Sequence, residues 1–212
     1  MALRRAWHVC PAVIEYGLLA CGFTPAESSR LIAPLGGACV ALDVARHRLP
    51  TASAFFEANG LKPCERGGLT GTSYYVMGVY INLLAATWWP ATQRLWFLGL
   101  WFLAFGDPAA ALVGSRCGRY VVARTAGKTV EGTCACFAAC ICIAVAFLSC
   151  PSVGAQLPLQ LDSWANLGLI AFTGAAVAAL TELHCKGVTD NLCIAPAASL
   201  SMAVVHSLLA DR

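Results

Sequence analysis

Residues 95–114 read LWFLGLWFLAFGDPAAALVG, twenty positions with one formal charge, Asp107. About 20 apolar residues suffice to cross the hydrocarbon core of a bilayer as one helix. Six further apolar segments lie on either side: Val9–Phe23, Leu31–Asp43, Leu69–Trp89, Thr133–Cys150, Trp164–Leu183 and Leu192–Leu209. The first two are short. Each must borrow flanking residues to cross, or else pair as a tight or re-entrant hairpin, which leaves six spans as the fallback count. The expected fold is all-α, a polytopic integral membrane helical bundle of about seven transmembrane helices in a single domain over residues 1–212.

Composition supports this. Of 212 residues, 58% are hydrophobic and 12% charged, with a mean hydropathy of +0.68. Soluble domains run at about 45–50% apolar and about 25% charged. So few polar side chains cannot coat a water-facing globule, which excludes a soluble enzyme, a disordered protein and a nucleic-acid binder. The net charge of +3 does not imply a polyanionic partner. Most of the twelve cysteines lie in apolar runs, where cysteine behaves as a small hydrophobe. Cys134, Cys136, Cys140 and Cys142 contain no C-x-x-C pair, and their spacing scatters the thiols around a helix instead of gathering them for a metal. No small-x-small site follows the first apolar run, so no cleavable signal peptide is expected.

Basic residues concentrate on cytoplasmic loops. With the N-terminus inside, the cytoplasmic segments hold Arg4, Arg5, Arg46, Arg48, Lys62, Arg66, Arg116, Arg119, Arg124, Lys128 and Lys186, against Arg30, Arg94 and Arg212 outside. Trp88, Trp89, Trp96 and Trp164 fall near the outer ends, as an interfacial belt does. The inner loops also carry most of the acids, so the chemistry belongs to the cytoplasmic surface. No internal repeat is visible, which weighs against a transporter of duplicated halves.

Asp107 is the strongest local feature, because a carboxylate inside a membrane segment is costly and functional by default. Pro108 lacks an N–H and its ring clashes with the carbonyl four residues back. The expectation is therefore a helix broken near Gly106, with Asp107 as N-cap and Pro108 at the first position of a half-helix. Amides at such an end suit phosphate, and a carboxylate suits Mg²⁺. The plainer reading is a cap on a kinked helix.

The loop after it runs Ser115-Arg116-Cys117-Gly118-Arg119, then Arg124-Thr125-Ala126-Gly127-Lys128-Thr129-Val130-Glu131-Gly132. Gly127-Lys128-Thr129 mimics the end of a P-loop, but Val122 stands where that motif needs glycine. A basic, glycine-containing loop still suits a polyphosphate. Glu182 ends one span and Asp190-Asn191 begins the next, bringing two more carboxylates to the face of Asp107; Asp190 reads equally well as a simple N-cap. Arg4, Arg5 and His8 form a basic lip that either sets orientation or grips an anion. Asp43, Arg46, Glu65 and Arg66 are individually weak signals, and Glu15 reads as a buried candidate contact for a lipid hydroxyl.

In order, these pieces resemble the membrane-embedded CTP-dependent lipid kinases: dolichol kinase, phytol kinase and the CTP-using diacylglycerol kinase. The likeness is carried by Arg4-Arg5-x-x-His8, by Gly106-Asp107-x-x-Ala110-x-x-x-Gly114-x-x-x-Gly118, by Gly127-Lys128-Thr129-x-Glu131-Gly132, and by Glu182 with Asp190-Asn191 before Pro196. Thr129 stands where serine is common in that family, and Pro108 follows the Gly-Asp pair. The resemblance implies transfer of the γ-phosphate of CTP to a membrane lipid alcohol (a polyprenol or dolichol, a phytol-like alcohol or diacylglycerol). It implies Asp107, Lys128 and Asp190 as catalytic residues, with Asp107, Asp190 and Glu182 as ligands to Mg²⁺. Gly106, Gly114, Arg119, Lys128, Glu131, Asn191, Arg4 and Arg5 fall to nucleotide binding. The membrane is of the bacterial inner or endoplasmic-reticulum type, with the site facing the cytoplasm.

The nearest rival is phosphatidate cytidylyltransferase, which makes CDP-diacylglycerol. Its usual tail joins a Lys-Asp pair to His-Gly-Gly, whereas this chain reads Lys186-Gly187-Val188-Thr189-Asp190-Asn191. A transporter using Asp107 as an ion site is the reading from a different class.

Overall fold

The computed structural model describes residues 2–58, 61, 65–122, 127–150, 152, 153, 157, 159, 163–185 and 189–210, residues 2–8 through their backbone alone. The chain forms α1 (Ala2–Ala20), α2 (Pro25–Arg48), α3 (Pro50–Ala58), α4 (Gly71–Trp88), α5 (Gln93–Cys117), α6 (Val130–Ser149), α7 (Trp164–His184) and α8 (Asp190–Ala210). All seven predicted segments are helical, and α3 was not expected. Among the described residues, five helices are long and apolar enough to cross a membrane: α2, α5, α6, α7 and α8. Along α2, α7 and α8, large apolar side chains such as Leu35, Leu42, Phe172, Leu200 and Leu208 face outward. Such faces mark contact with lipid, and the chain is a helical integral membrane protein.

Both short first segments are extended by flanking residues, α1 and α2 reaching 19 and 24 residues, and of the two only α2 is long and apolar enough to cross a membrane. The apolar part of α1, Val9–Ala20, is brief. Pro25 opens α2 behind a complete capping box, in which Thr24 N–H donates to Glu27 Oε2 at 2.8 Å and Glu27 N–H to Thr24 Oγ1 at 3.2 Å. Thr70, Thr129 and Ser163 cap α4, α6 and α7 through their side-chain oxygens alone, accepting from backbone N–H groups of the first turn.

The expected break at Gly106 is absent: α5 runs continuously from Gln93 to Cys117 with Pro108 inside it. Asp107 is therefore not an N-cap, and no half-helix points at the site. The reason is the solvent. A proline inside a helix forfeits one backbone bond, whereas two helix ends at membrane depth would orphan several N–H and C=O groups. Pro11, Pro34 and Pro196 are likewise carried within helices.

α5 is the centre of the bundle, packed against α1, α4, α6 and α8. Its contact with α6 is a stripe of small residues. A Cβ on Gly106 would meet the Cys140 and Cys136 thiols at 2.9 and 3.0 Å, and one on Gly132 would meet the Ala110 carbonyl at 2.9 Å. The Gly106–Ala110–Gly114–Gly118 spacing thus serves close helix approach. Cys136 and Cys140 are buried while Cys134 and Cys142 are exposed, so these thiols are not gathered. Trp88, Trp89 and Trp164 are exposed as a belt requires, but Trp96 is buried; it stacks on Trp89 and donates Nε1–H to Thr92 Oγ1 at 3.0 Å.

Candidate active site

The polar groups converge at one end of the bundle. After α5, the chain doubles back as a short hairpin neck: Val130 N–H donates to the Tyr120 carbonyl at 3.0 Å and Val122 N–H to the Lys128 carbonyl at 2.9 Å. Gly127 has φ +79°, a left-handed conformation that glycine adopts without strain, and it delivers the chain into Lys128. Glu131, in the first turn of α6, accepts from the backbone N–H of Arg119 at 3.0 Å and of Tyr120 at 3.3 Å. It therefore secures the neck that carries Lys128.

That neck aims Lys128 between α7 and α8. Its Nζ lies 3.1 Å from Glu182 Oε1 and 3.3 Å from Asp190 Oδ2, with all three side chains largely buried, and it also donates to the Glu182 main-chain carbonyl. Burial works to lower the lysine's pKa, and the attraction of Asp190 and Glu182 outweighs it, so the value is raised above 10.5. Lys128 is held as a cation. The second oxygen of Glu182, Oε2, is buried with no hydrogen-bond partner among the described residues. Asp190 Oδ1 accepts from Asn191 N–H at 2.9 Å, and Asn191 Nδ2 donates to the Gly71 carbonyl at 3.1 Å, tying α8 to α4.

Asp107 is half-buried on α5. It interacts electrostatically with Tyr75 of α4 and with Cys136 of α6, and Cys136 also senses Glu182. Asp107 and Glu182 thus both lie within electrostatic range of Cys136. Among the described residues, no three His, Cys, Asp or Glu side chains are grouped to hold a metal ion. The Asp107–Glu182–Asp190 triad implied by the resemblance is therefore not preassembled: the Lys128 ammonium lies between two of its members, and the third adjoins Tyr75. The donor chemistry still fits a hard divalent cation, which takes oxygen ligands, and the unpartnered Glu182 Oε2 is an open ligand.

The glycines expected to bind nucleotide lie along the α5–α6 contact. Gly106 and Gly114 are filled against α6, where a Cβ on Gly114 would meet Thr129 Oγ1 at 3.0 Å. Arg119 is exposed on the neck. The side chains of Arg4, Arg5 and His8, and residues 62, 124 and 186 with their basic side chains, lie outside the described residues.

A second cluster was only faintly legible. Asp43 is fully buried and accepts from Arg46 Nε at 2.9 Å, Thr70 N–H at 2.8 Å, Thr70 Oγ1 at 3.0 Å and Ser73 Oγ at 2.5 Å. Arg46 donates to the Glu65 carbonyl at 2.7 Å and lies over the Phe56 ring of α3, 5.5 Å from its centroid. Glu65 Oε1 accepts from Gly71 N–H at 2.9 Å. Gly71 thereby joins this cluster to Asn191 and the Lys128 clamp. The available signal was Asp43 with Arg46 one turn later at the end of an apolar run. Tyr75, beside Asp107, had no signal at all.

No family model matches this chain, and no curated protein or solved structure is significantly similar to it.

Proposed function

We propose that this protein is a CTP-dependent lipid kinase of about seven membrane spans, with its N-terminus and the Lys128 end of the bundle at the cytoplasmic face. The observation that carries the reading is Lys128 held between Glu182 and Asp190 at one end of a membrane bundle. The distribution of basic residues supports the orientation, and the ordered motifs support the substrate class.

In this reading a lipid alcohol, its chain in the bilayer, attacks the γ-phosphorus of CTP. The bond from that phosphorus to the β–γ bridging oxygen breaks, CDP leaves, and the hydroxyl proton is released to solvent. Such a transfer depends on positioning and charge neutralisation more than on covalent help. Mg²⁺ bound with the nucleotide supplies part of that neutralisation. Glu182 and Asp190 would hold it, Lys128 would turn from the carboxylates to the phosphates, and Asp107 would be a further acid of the site.

The test uses protein in detergent–lipid micelles with Mg²⁺ and CTP labelled at the α- or γ-phosphate, offered diacylglycerol, a polyprenol and phosphatidate in turn. Transfer of the γ label to an alcohol is the expected result and names the acceptor. Transfer of the α label to phosphatidate, with pyrophosphate released, identifies a cytidylyltransferase and overturns the kinase. No transfer of either label removes both.

A further inference from the structure

α3 (Pro50–Ala58) is nine residues long and contains no fully buried residue, and its principal packing is against α2. Isolated helices shorter than about 12–15 residues are marginal in water, so α3 owes its order to the surfaces it lies between. The inner one is protein. Phe56 is half-buried, and the Arg46 guanidinium lies over its ring, 5.5 Å from the centroid. Arg46 is itself fixed, donating to Asp43 Oδ1 at 2.9 Å and to the Glu65 carbonyl at 2.7 Å. It belongs to the last turn of α2, so Phe56 keys α3 to the level at which α2 ends.

The outer surface is apolar. Phe55 meets the Phe56 ring edge-on at 5.9 Å and is itself 65% exposed. Leu49, the C-cap of α2 just before α3, is 54% exposed. Leu35, Leu42 and Leu49 recur two helical turns apart and are all exposed, so they form one stripe of α2. That stripe faces lipid along the helix and runs without a break to the start of α3.

Charge selects the occupant further. Arg48 and Arg66 are exposed before and after α3 in the chain, against one acid within it, Glu57. Arg66 lies on the segment whose Glu65 and Gly68 carbonyls both accept from Arg46, which brings it close to Phe56. Cations beside an exposed aromatic and leucine suit the boundary between lipid phosphates and acyl chains. A second copy of the chain, pairing through Phe55, would instead bring the same cations of both copies together.

We propose that α3 is an interfacial helix, with Phe55 and the preceding Leu49 seated at the headgroup–acyl boundary of phospholipids where α2 leaves the bilayer. Phe56 and Arg46 lock its other side to the protein. A helix held in this way fixes the depth at which this end of the bundle sits.

The test uses the full chain in nanodiscs of phosphatidylcholine and phosphatidylglycerol. Hydroxyl radicals generated in the water oxidise accessible aromatic rings, and peptide mass spectrometry reads the rate at each ring. Phe172, on the lipid-facing side of α7, and Tyr120, on the neck, are both exposed in the protein and serve as references. Phe55 is expected to be protected to the level of Phe172. Oxidation at the rate of Tyr120, after correction for the intrinsic reactivity of each ring, places Phe55 in water and overturns the proposal. The variant Phe55→p-benzoylphenylalanine, irradiated in the same nanodiscs, separates lipid from a second copy. Phospholipid adducts on the peptide carrying position 55 are the expected product. Cross-links to a second chain, or only within the chain, overturn the assignment to lipid.

Discussion

The ammonium of Lys128 lies 3.1 Å from Oε1 of Glu182, although 54 residues separate them in the chain. Asp190 completes the contact from the next helix at 3.3 Å. One cation thereby holds the α5–α6 neck against the α7–α8 junction. The clamp is both a structural tie and the feature that supports the proposed chemistry, and its two roles separate by experiment.

Replacing Lys128 with methionine leaves two largely buried carboxylates without their shared counter-charge. Removing one partner of a buried pair costs about 3–5 kcal/mol, and the residual exposure here puts the expected loss at about 3 kcal/mol. Thermal unfolding in detergent measures it. Adding E182Q to K128M should recover part of the loss, because the bare charge has gone; a further drop instead would mean that repulsion is not the cause.

The same clamp has a pH signature. The folded-state pKa of Lys128 is raised above 10.5 by its two carboxylates against the opposing effect of burial. A raised cation contributes stability that is complete below the unfolded value and is lost as pH climbs through the folded one. The difference in melting temperature between wild type and K128M should stay level up to about pH 10 and narrow above about pH 10.5. Narrowing that begins near neutrality would assign the effect to another group.

Asp43 accepts four hydrogen bonds in a buried site. D43A strands the Arg46 guanidinium and the Thr70 amide together, and an uncompensated buried charge is expected to cost about 3–5 kcal/mol. D43N, which keeps an acceptor oxygen, should lose clearly less. Equal melting temperatures for the two variants would show that shape, not hydrogen bonding, is what Asp43 supplies.

The α5–α6 contact predicts an order of costs. At Gly132 an added methyl meets a backbone carbonyl, whereas at Gly106 it meets two thiols. Side chains yield more readily than backbone, so G132A should destabilise more than G106A, with overpacking costs of about 1–3 kcal/mol. Comparative unfolding of the two variants tests this, and the reverse order would place the slack in the backbone.

D107N removes a charge but keeps shape and a polar group. In the kinase reading, γ-phosphoryl transfer falls at least about 100-fold while the melting temperature stays near that of the wild type. Full turnover in the variant would remove Asp107 from the chemistry and leave it a structural partner of Tyr75.

What the sequence by itself determined was the solvent. A chain with 58% hydrophobic and 12% charged residues must bury itself in lipid, and apolar runs of fixed minimum length then locate the seven principal helices, because each backbone group in a bilayer must be bonded within its own segment. Local reasoning failed at Gly106-Asp107-Pro108, where proline's preference for a helix start yielded to the cost of two open ends inside the membrane. Only the tertiary structure decided the partners. Lys128 with Glu182 and Asp190, Asp43 with Thr70 and Ser73, and Asn191 with Gly71 are contacts between distant segments. A lone charge in a loop does not name its counter-charge, because the pairing depends on which helix ends the packing of glycine and alanine against α5 brings together.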